Sequence, residues 1–120
     1  MASVTNIETG LEVAENAIAP LKALLASSKL ESPMLSIAWQ GEGPNTERMT
    51  WSWVVKTVGS ALLEYFEYVS FEKHELRFYC THENMASLPS MLDKMMIVTK
   101  HGKPAIIARA GCSLPCCNDF

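Results

Sequence analysis

Two alternating stretches around a polar loop constrain the fold of this chain more than any other feature. In "MLSIAWQ", Leu35, Ile37 and Trp39 occupy every second position, which is the spacing of one face of a β-strand. "MTWSWVVKTV" alternates in the same way, with Trp51 and Trp53 on one side. The segment between them, "GEGPNTER", is rich in residues that favour loops. The two stretches therefore predict an antiparallel pair of strands.

A helix is expected before this pair, after a short strand "LEV". The apolar positions of "AENAIAPLKALLASSKL" recur at the spacing of one buried helix face. We expect the helix to begin near Asn16, as its N-cap, and to end near Ser28. This start places Pro20 at the edge of the first turn, where its missing N–H is least harmful. Pro33 cannot continue a helix and favours extended backbone before it.

The second half of the chain predicts further strands. "HELRFYC" alternates with Leu76, Phe78 and Cys80 on one face. Residues 94–98 and 104–108 form two more predicted strands around "TKHGK", whose His-Gly dipeptide suits a hairpin turn. "HENMASLPSML" indicates a turn or a short helix, and residues 59–69 fit either a helix or a strand.

The order of these elements predicts an α+β fold in which one N-terminal helix packs on a mostly antiparallel β-sheet. We expect a flexible N-terminus over residues 1–10, a single domain over residues 11–109 and a cysteine-rich tail over residues 110–120. A chain of 120 residues fits one domain, and 48% hydrophobic with 19% charged residues is typical of a globular protein.

Charge and hydropathy narrow the expected partners. The net charge of −3 argues against non-specific nucleic-acid binding. No apolar run approaches the roughly 18 residues that span a bilayer, and "MASVTNIETG" lacks the pattern of a signal peptide. We therefore expect a cytoplasmic protein with reduced thiols, whose partners are other proteins rather than nucleic acid or membrane.

The cysteines are the candidate metal ligands. "AGCSLPCCNDF" holds Cys112, Cys116 and Cys117 within six residues, and clustered thiolates are ligands for zinc, iron and iron–sulfur clusters. Cys80 and His82 lie at positions i and i+2, so on a strand they face one side and are able to chelate together. The alternative is that Cys80 is a small buried hydrophobe and His82 begins a turn.

Other uses of these residues fit less well. A disulfide between Cys112 and Cys116 is disfavoured by a reducing compartment. "CNDF" has the length of a prenylation box, but Asn118 and Asp119 stand where aliphatic residues are needed. Cys80 with a histidine forms a nucleophile pair only in the presence of an orienting group, and none is identifiable. We therefore expect no enzymatic activity.

The tryptophans allow two interpretations. Trp39, Trp51 and Trp53 fall on one face of the predicted strand pair. They form either a platform for a ligand or partner, or an apolar seam between paired strands. We favour the seam. An exposed methionine patch among the seven methionines would favour partner binding.

Two segments resemble a known family. "LEVAENAIAPLKALLASSKLESPMLSIAWQ" is similar to the opening of HesB/IscA-like domains, the A-type iron–sulfur carriers, and "HELRFYCTHENMASLPSMLDKMMIV" is similar to their later strands. The family's Cys-Gly-Cys ending resembles "PCCNDF", in which Cys116 and Cys117 are adjacent. The family's glycine–cysteine loop corresponds to "QGEGPNTER", which keeps Gly41 and Gly43 but has no cysteine.

The resemblance implies an iron–sulfur-assembly-related or metal-binding accessory protein. Its cofactor would be an iron–sulfur cluster or iron, held by Cys112, Cys116 and Cys117 in a homodimer, with Cys80 and His82 as further candidate ligands. The missing loop cysteine favours the alternative, a non-catalytic interaction or structural domain that has no bound metal.

Overall fold

Eight strands and two helices make up residues 3–114, the part of the chain that the computed structural model describes. The strands are β1 (Val4–Asn6), β2 (Glu12–Val13), β3 (Pro33–Glu42), β4 (Thr50–Gly59), β5 (Tyr68–Lys73), β6 (Leu76–Cys80), β7 (Met95–Lys100) and β8 (Lys103–Ala108). The helices are α1 (Glu15–Ala26) and α2 (Leu88–Asp93), and short 3-10 turns cover Thr46–Arg48, Ser60–Glu64 and Met85–Ser87. The fold is mixed α/β. It has two helices where the predicted α+β arrangement had one, and the second lies in the segment expected to form a turn or a short helix.

The strands form two sheets. One has the order β1-β5-β6-β3-β4 and the other the order β2-β7-β8. β3 and β4 pair antiparallel along their whole length, which confirms the predicted pair. The sheet was predicted to be mostly antiparallel, but three of the six pairings among the described strands are parallel: β1 with β5, β2 with β7 and β3 with β6. Parallel pairs join segments that are distant in sequence, so a local pattern does not predict them.

Helix α1 holds Pro20 in its interior rather than in its first turn. The N-cap is Ala14 and not Asn16, because the Ala14 N–H donates to the Ile97 carbonyl at 2.8 Å and so fixes the chain where β2 leaves its sheet. A proline removes the hydrogen bond to the carbonyl four residues earlier. That carbonyl, on Asn16, accepts a bond of 2.9 Å from the Thr99 hydroxyl of β7. The proline is tolerated because β7 supplies the missing donor.

The two segments that the sequence left open have defined structures. Residues 60–64 form a 3-10 turn that follows β4, and the chain is extended again from Tyr68 onward as β5. "SLPSMLD" contains α2, with Pro89 at its start, where a proline costs no hydrogen bond. Leu88, Met91 and Leu92 are each fully buried, so burial of one face stabilises this short helix.

The N-terminal segment was predicted to be flexible, but residues 4–6 form strand β1 beside β5. Farther on, the Asp93 carboxylate accepts hydrogen bonds from the Thr9 hydroxyl at 2.7 Å and the Gly10 N–H at 2.6 Å. These contacts tie residues 3–10 to the first sheet and to the end of α2.

The hydrophobic core joins both sheets and both helices. Each sheet contributes the residues of one face, as the period of two requires. Its fully buried members include Leu11, Ala17, Leu21, Leu35, Ile37, Phe78, Cys80, Leu88, Met95 and Ile97. The predicted faces of β3 and β6 are confirmed by this burial.

Two tight turns close hairpins. His101 and Gly102 both have positive φ, of 52° and 77°, which confirms the predicted turn between β7 and β8. His74 and Glu75 adopt the same left-handed backbone between β5 and β6, which the sequence did not signal. Within residues 3–114, no helix has the length and apolar character needed to cross a membrane.

Candidate functional site

Four aromatic rings lie in series beside the distal half of the β3–β4 hairpin; two of the three ring pairs are stacked, and the Trp39–Trp53 pair is tilted by 55°. The ring centroids of Trp51 and Trp39 are 6.3 Å apart, those of Trp39 and Trp53 are 5.2 Å apart, and those of Trp53 and His82 are 5.5 Å apart. These separations lie in the range of favourable aromatic pairs. We call Trp51, Trp39, Trp53 and His82 the aromatic ladder.

The hairpin register produces this arrangement. Trp39 pairs directly with Trp53, and Gly41 pairs with Trp51. Side chains opposite one another, and two positions along on the same face, are within reach across an antiparallel pair. All three tryptophans of the sequence therefore meet on the face that continues from the core.

Exposure increases along the ladder from Trp53 to Trp51. Trp53 is 4% exposed and belongs to the core, whereas Trp51 is 52% exposed. Trp39 lies between them and is partly buried against the core. The sequence favours a core seam for all three. The burial confirms that interpretation for Trp53, while Trp51 lies at the surface.

Gly41 makes room for the exposed end of the ladder. A Cβ atom placed on Gly41 would lie about 2.5 Å from the Met49 Sδ and 2.9 Å from the Trp51 Cε2. Real Cβ contacts are not this short, so Met49 and Trp51 lie directly on the glycine backbone. A side chain at this position would push both of them away from the strand.

The loop between the strands is held by its own hydrogen bonds. The Asn45 side-chain oxygen accepts from the N–H groups of Glu47 and Arg48, each at 3.1 Å, which is the bonding pattern of an N-cap. A Cβ on Gly43 would lie 2.5 Å from the Arg48 carbonyl oxygen. The glycine therefore permits the close return of the chain to β4.

His82 is held by its neighbours in a defined tautomer. Its Nδ1 accepts the Asn84 N–H at 3.0 Å, and its own backbone N–H donates to the Met85 Sδ at 3.4 Å. A backbone N–H only donates, so Nδ1 carries no proton, and the neutral ring carries its proton on Nε2. The Nδ1 lone pair is therefore engaged by the Asn84 N–H and is not free to bind a metal.

Cys80 is a buried, protonated thiol. It is 0% exposed, and its Sγ donates to the Ile37 carbonyl at 3.1 Å. Burial raises the pKa of this thiol to about 12, because an apolar environment disfavours the thiolate. A thiol that stays protonated at neutral pH is a poor nucleophile and a poor metal ligand.

The predicted metal ligands are distributed over three environments. Cys80 points into the core, His82 stacks on Trp53, and Cys112 is exposed and in no disulfide with a described residue. Cys116 and Cys117 lie outside the described residues. Within residues 3–114, no three His, Cys, Asp or Glu side chains converge to hold a metal ion.

A second exposed apolar group follows β4. Leu62, Tyr65 and Phe66 are 37%, 73% and 50% exposed, and the Phe66 ring packs edge-on against Tyr68 with 6.3 Å between centroids. Tyr68 is 4% exposed and packs edge-on against Tyr79 in turn, so these rings also form a series that reaches a buried residue, with edge-on rather than stacked contacts.

Comparison with known proteins adds no relative to this description: no family model matches the sequence, and no curated protein or solved structure matches it significantly. The candidate site is therefore defined by the geometry of this chain.

Proposed function

We propose that this chain is a non-catalytic binding domain and that the aromatic ladder recognises a protein partner. The observation that carries the proposal is the position of Trp51. Its ring is half exposed at the end of a stack that begins in the core. A large apolar ring at the surface costs solvation free energy unless a partner covers it.

The ladder has the properties of an interface centre. Tryptophan is enriched among the residues that contribute most to protein–protein binding. Here stacking on Trp39 fixes the Trp51 ring, so little side-chain entropy is lost when a partner binds. Met49 beside it is unbranched and polarisable and adapts to the shape of a partner.

The ladder also defines the chemistry of its partner. The half-exposed Trp51 supplies an indole N–H donor beside an apolar ring face. A complementary partner presents an apolar or aromatic side chain flanked by carbonyl or carboxylate acceptors. An extended peptide segment meets both requirements, because its backbone carbonyls lie beside its side chains.

Affinity capture with paired variants tests the proposal. The immobilised wild-type chain, Trp51→Ala and Tyr65→Ala are exposed to the same lysate, and the captured proteins are quantified. We expect Trp51→Ala to reduce capture of a specific partner by about tenfold or more, a loss typical of interface centres. Tyr65→Ala removes a more exposed ring elsewhere and leaves that capture unchanged. Equal capture by all three chains would refute the proposal.

Our second candidate function is the iron–sulfur-assembly-related or metal-binding role, in a cytoplasmic homodimer. It rests on the HesB/IscA-like motifs and on the clustering of Cys112, Cys116 and Cys117. Among the described residues no three ligands converge, because Cys80 is a buried core thiol and the His82 Nδ1 already accepts a hydrogen bond from Asn84. A bound group would depend on the three tail thiols, supplied by one or both protomers.

Anaerobic purification tests this second candidate. Iron, zinc and the visible absorption spectrum are measured for the wild-type chain and for a variant with all three tail cysteines changed to serine. The candidate predicts a stoichiometric metal or cluster in the wild type and none in the variant. Cys80→Ala is the matched control and retains the metal. Metal content that is low in every chain contradicts the candidate.

A further inference from the structure

We propose that the exposed apolar group after β4 is a second binding surface, and that its partner is a basic amphipathic peptide segment, in which lysine or arginine flanks apolar side chains. We call Leu62, Tyr65 and Phe66 the Tyr65 patch. The inference goes beyond the proposed function and does not depend on the aromatic ladder. It rests on the exposure of these side chains, on the contacts that hold them and on the charge around them.

The side chains of the Tyr65 patch are large, apolar and exposed together. Leu62 is 37%, Tyr65 73% and Phe66 50% exposed. All three lie between residues 62 and 66, in and just after the 3-10 turn that follows β4. A single exposed apolar side chain is ordinary, but three of them in one turn are typical of an interaction surface.

Backbone hydrogen bonds and a buried ring hold the patch in place. The Tyr65 N–H donates to the Leu62 carbonyl at 3.1 Å, and the Tyr68 N–H donates to the Ser3 carbonyl of the N-terminal segment at 3.0 Å. The Phe66 ring packs edge-on against Tyr68, which is 4% exposed. A partner therefore meets a surface that is already ordered, so little conformational entropy is lost on binding.

The loop before β3 lies beside the same turn. The Ser60 N–H donates to the Ser32 carbonyl at 3.2 Å, which brings this loop to the start of the turn. The loop carries Leu30, which is 45% exposed. Its charged residues, Lys29 and Glu31, have opposite signs. The loop therefore adds apolar surface near the patch without adding net charge.

The charge around the patch is negative. Residues 57–72 contain three glutamates and no lysine or arginine. Glu72 forms an ion pair with the neighbouring strand β6. Glu64 and Glu67, which flank the two rings of the patch, are exposed and form no ion pair with a described residue. Apolar side chains flanked by unpaired carboxylates are complementary to apolar side chains flanked by basic ones.

The same charges argue against two other occupants. In a symmetric dimer built on this patch, the carboxylates of one copy would lie near those of the other, and like charges repel. Anionic lipid surfaces repel the same carboxylates. A basic peptide segment is favoured over both.

The Tyr65 patch and the aromatic ladder lie at opposite ends of β4. The patch follows Gly59, the last residue of the strand, whereas Trp51 is near its first residue. The distance between these two positions is about 26 Å at the rise of an extended chain. A short peptide on the patch therefore leaves Trp51 uncovered, and different variants test the two surfaces.

Fluorescence anisotropy of a labelled synthetic peptide tests the proposal. The probe has about 14 residues, with leucine and lysine at helical spacing, and the control peptide has glutamate in place of each lysine. We expect the wild-type chain to bind the basic probe and not the acidic one. Tyr65→Ala combined with Phe66→Ala should raise the dissociation constant about tenfold or more. Trp51→Ala should leave it unchanged.

A second pair of variants tests the charge. Glu64→Gln combined with Glu67→Gln should weaken binding about threefold at low salt and make it less dependent on salt. Glu47→Gln combined with Glu83→Gln is the matched control, because it removes the same charge from exposed positions elsewhere and should leave binding unchanged. The glutamine variants keep both rings, so they decide the test if the alanine variant loses its far-ultraviolet circular dichroism.

Four results would overturn the proposal. The first is that the basic probe does not bind, or that the acidic probe binds equally well. The second is equal weakening by the two glutamate pairs, which would show a general attraction to an acidic protein. The third is a dimer of the wild-type chain that the alanine variant abolishes in sedimentation, which would assign the patch to a second copy. The fourth is binding to phosphatidylcholine vesicles that the alanine variant loses, which would assign it to a membrane.

Discussion

The proximal and distal halves of the β3–β4 hairpin have the same alternating pattern but different surroundings. In the proximal half, Leu35 and Ile37 are 0% exposed and pack against the second sheet and the helices. In the distal half, on the same face, Trp51 is 52% exposed. Alternation decides which face a residue occupies, and the elements that lie opposite decide whether that face is buried.

The difference assigns the two halves different roles. Side chains of the proximal half contribute to the stability of the fold. Those of the distal half contribute little to stability, which leaves them available for binding. Trp53, which is 4% exposed, lies at the boundary between the two halves. Substitutions in the proximal half should therefore lower the stability of the fold, and substitutions in the distal half should affect binding more than stability.

The largest effect is expected in the proximal half. Ile37→Ala removes buried methyl groups and leaves a cavity, so we expect the free energy of unfolding to fall by about 2–5 kcal/mol. Urea denaturation followed by far-ultraviolet circular dichroism measures it. Val54→Ala changes the opposite face of the hairpin, where the side chain is partly exposed, and should cost about 1 kcal/mol or less. Equal losses in the two variants would contradict the comparison.

The next effect lies at Gly41 in the distal half. Gly41→Ala forces Met49 and Trp51 off the strand, and because both side chains lie at the exposed end of the ladder and are able to shift, we expect a cost of about 1 kcal/mol. Gly59→Ala is the matched control, because the nearest atom to its Cβ would be the Glu31 carbonyl at 3.8 Å. Urea denaturation should rank Gly41→Ala as the less stable. Equal free energies of unfolding for the two variants would show that Met49 and Trp51 move away from residue 41 at no cost.

A pH dependence tests the burial of Cys80, the residue of β6 that pairs with Ile37 of the proximal half. Burial raises the pKa of Cys80 from 9.0 to about 12, so between these values the unfolded chain has lost the thiol proton while the folded chain retains it. Stability from this group is complete below pH 9 and falls as pH rises toward 12, by about 1 kcal/mol between pH 8 and 10. Urea denaturation at several pH values should show a smaller decline for Cys80→Ala. A parallel decline in both chains would mean that the thiol is not buried.

Local sequence patterns predicted the strands that contribute a face to the core. The period of two identified β3, β4 and β6, and the His101–Gly102 turn identified the β7–β8 hairpin. The mixture of parallel and antiparallel pairs was not predictable in this way, because β1 pairs in parallel with β5, which is distant from it in sequence. Pro20 shows the same limit: the Thr99 hydroxyl that makes it tolerable is 83 residues from Asn16.

The candidate site was predicted in part. Alternation placed Trp39, Trp51 and Trp53 on one face. It did not show which of these rings other elements of the fold would bury. The proposed pairing of Cys80 with His82 assumed a strand that continues through both residues, whereas β6 ends at Cys80 and the Asn84 N–H holds the His82 ring on Trp53. The sequence did contain one signal for the special position of Trp51. A glycine within a strand often marks a close approach of another group, and Gly41 pairs with Trp51.

The free energy of unfolding of Trp51→Ala tests the central claim most directly. A ring at the surface should cost about 1 kcal/mol or less when removed, far less than the loss expected for Ile37→Ala. Urea denaturation of both variants under one set of conditions provides the comparison. A loss of about 3–5 kcal/mol for Trp51→Ala, the range for a buried tryptophan, would show that the distal half is core and would contradict the account.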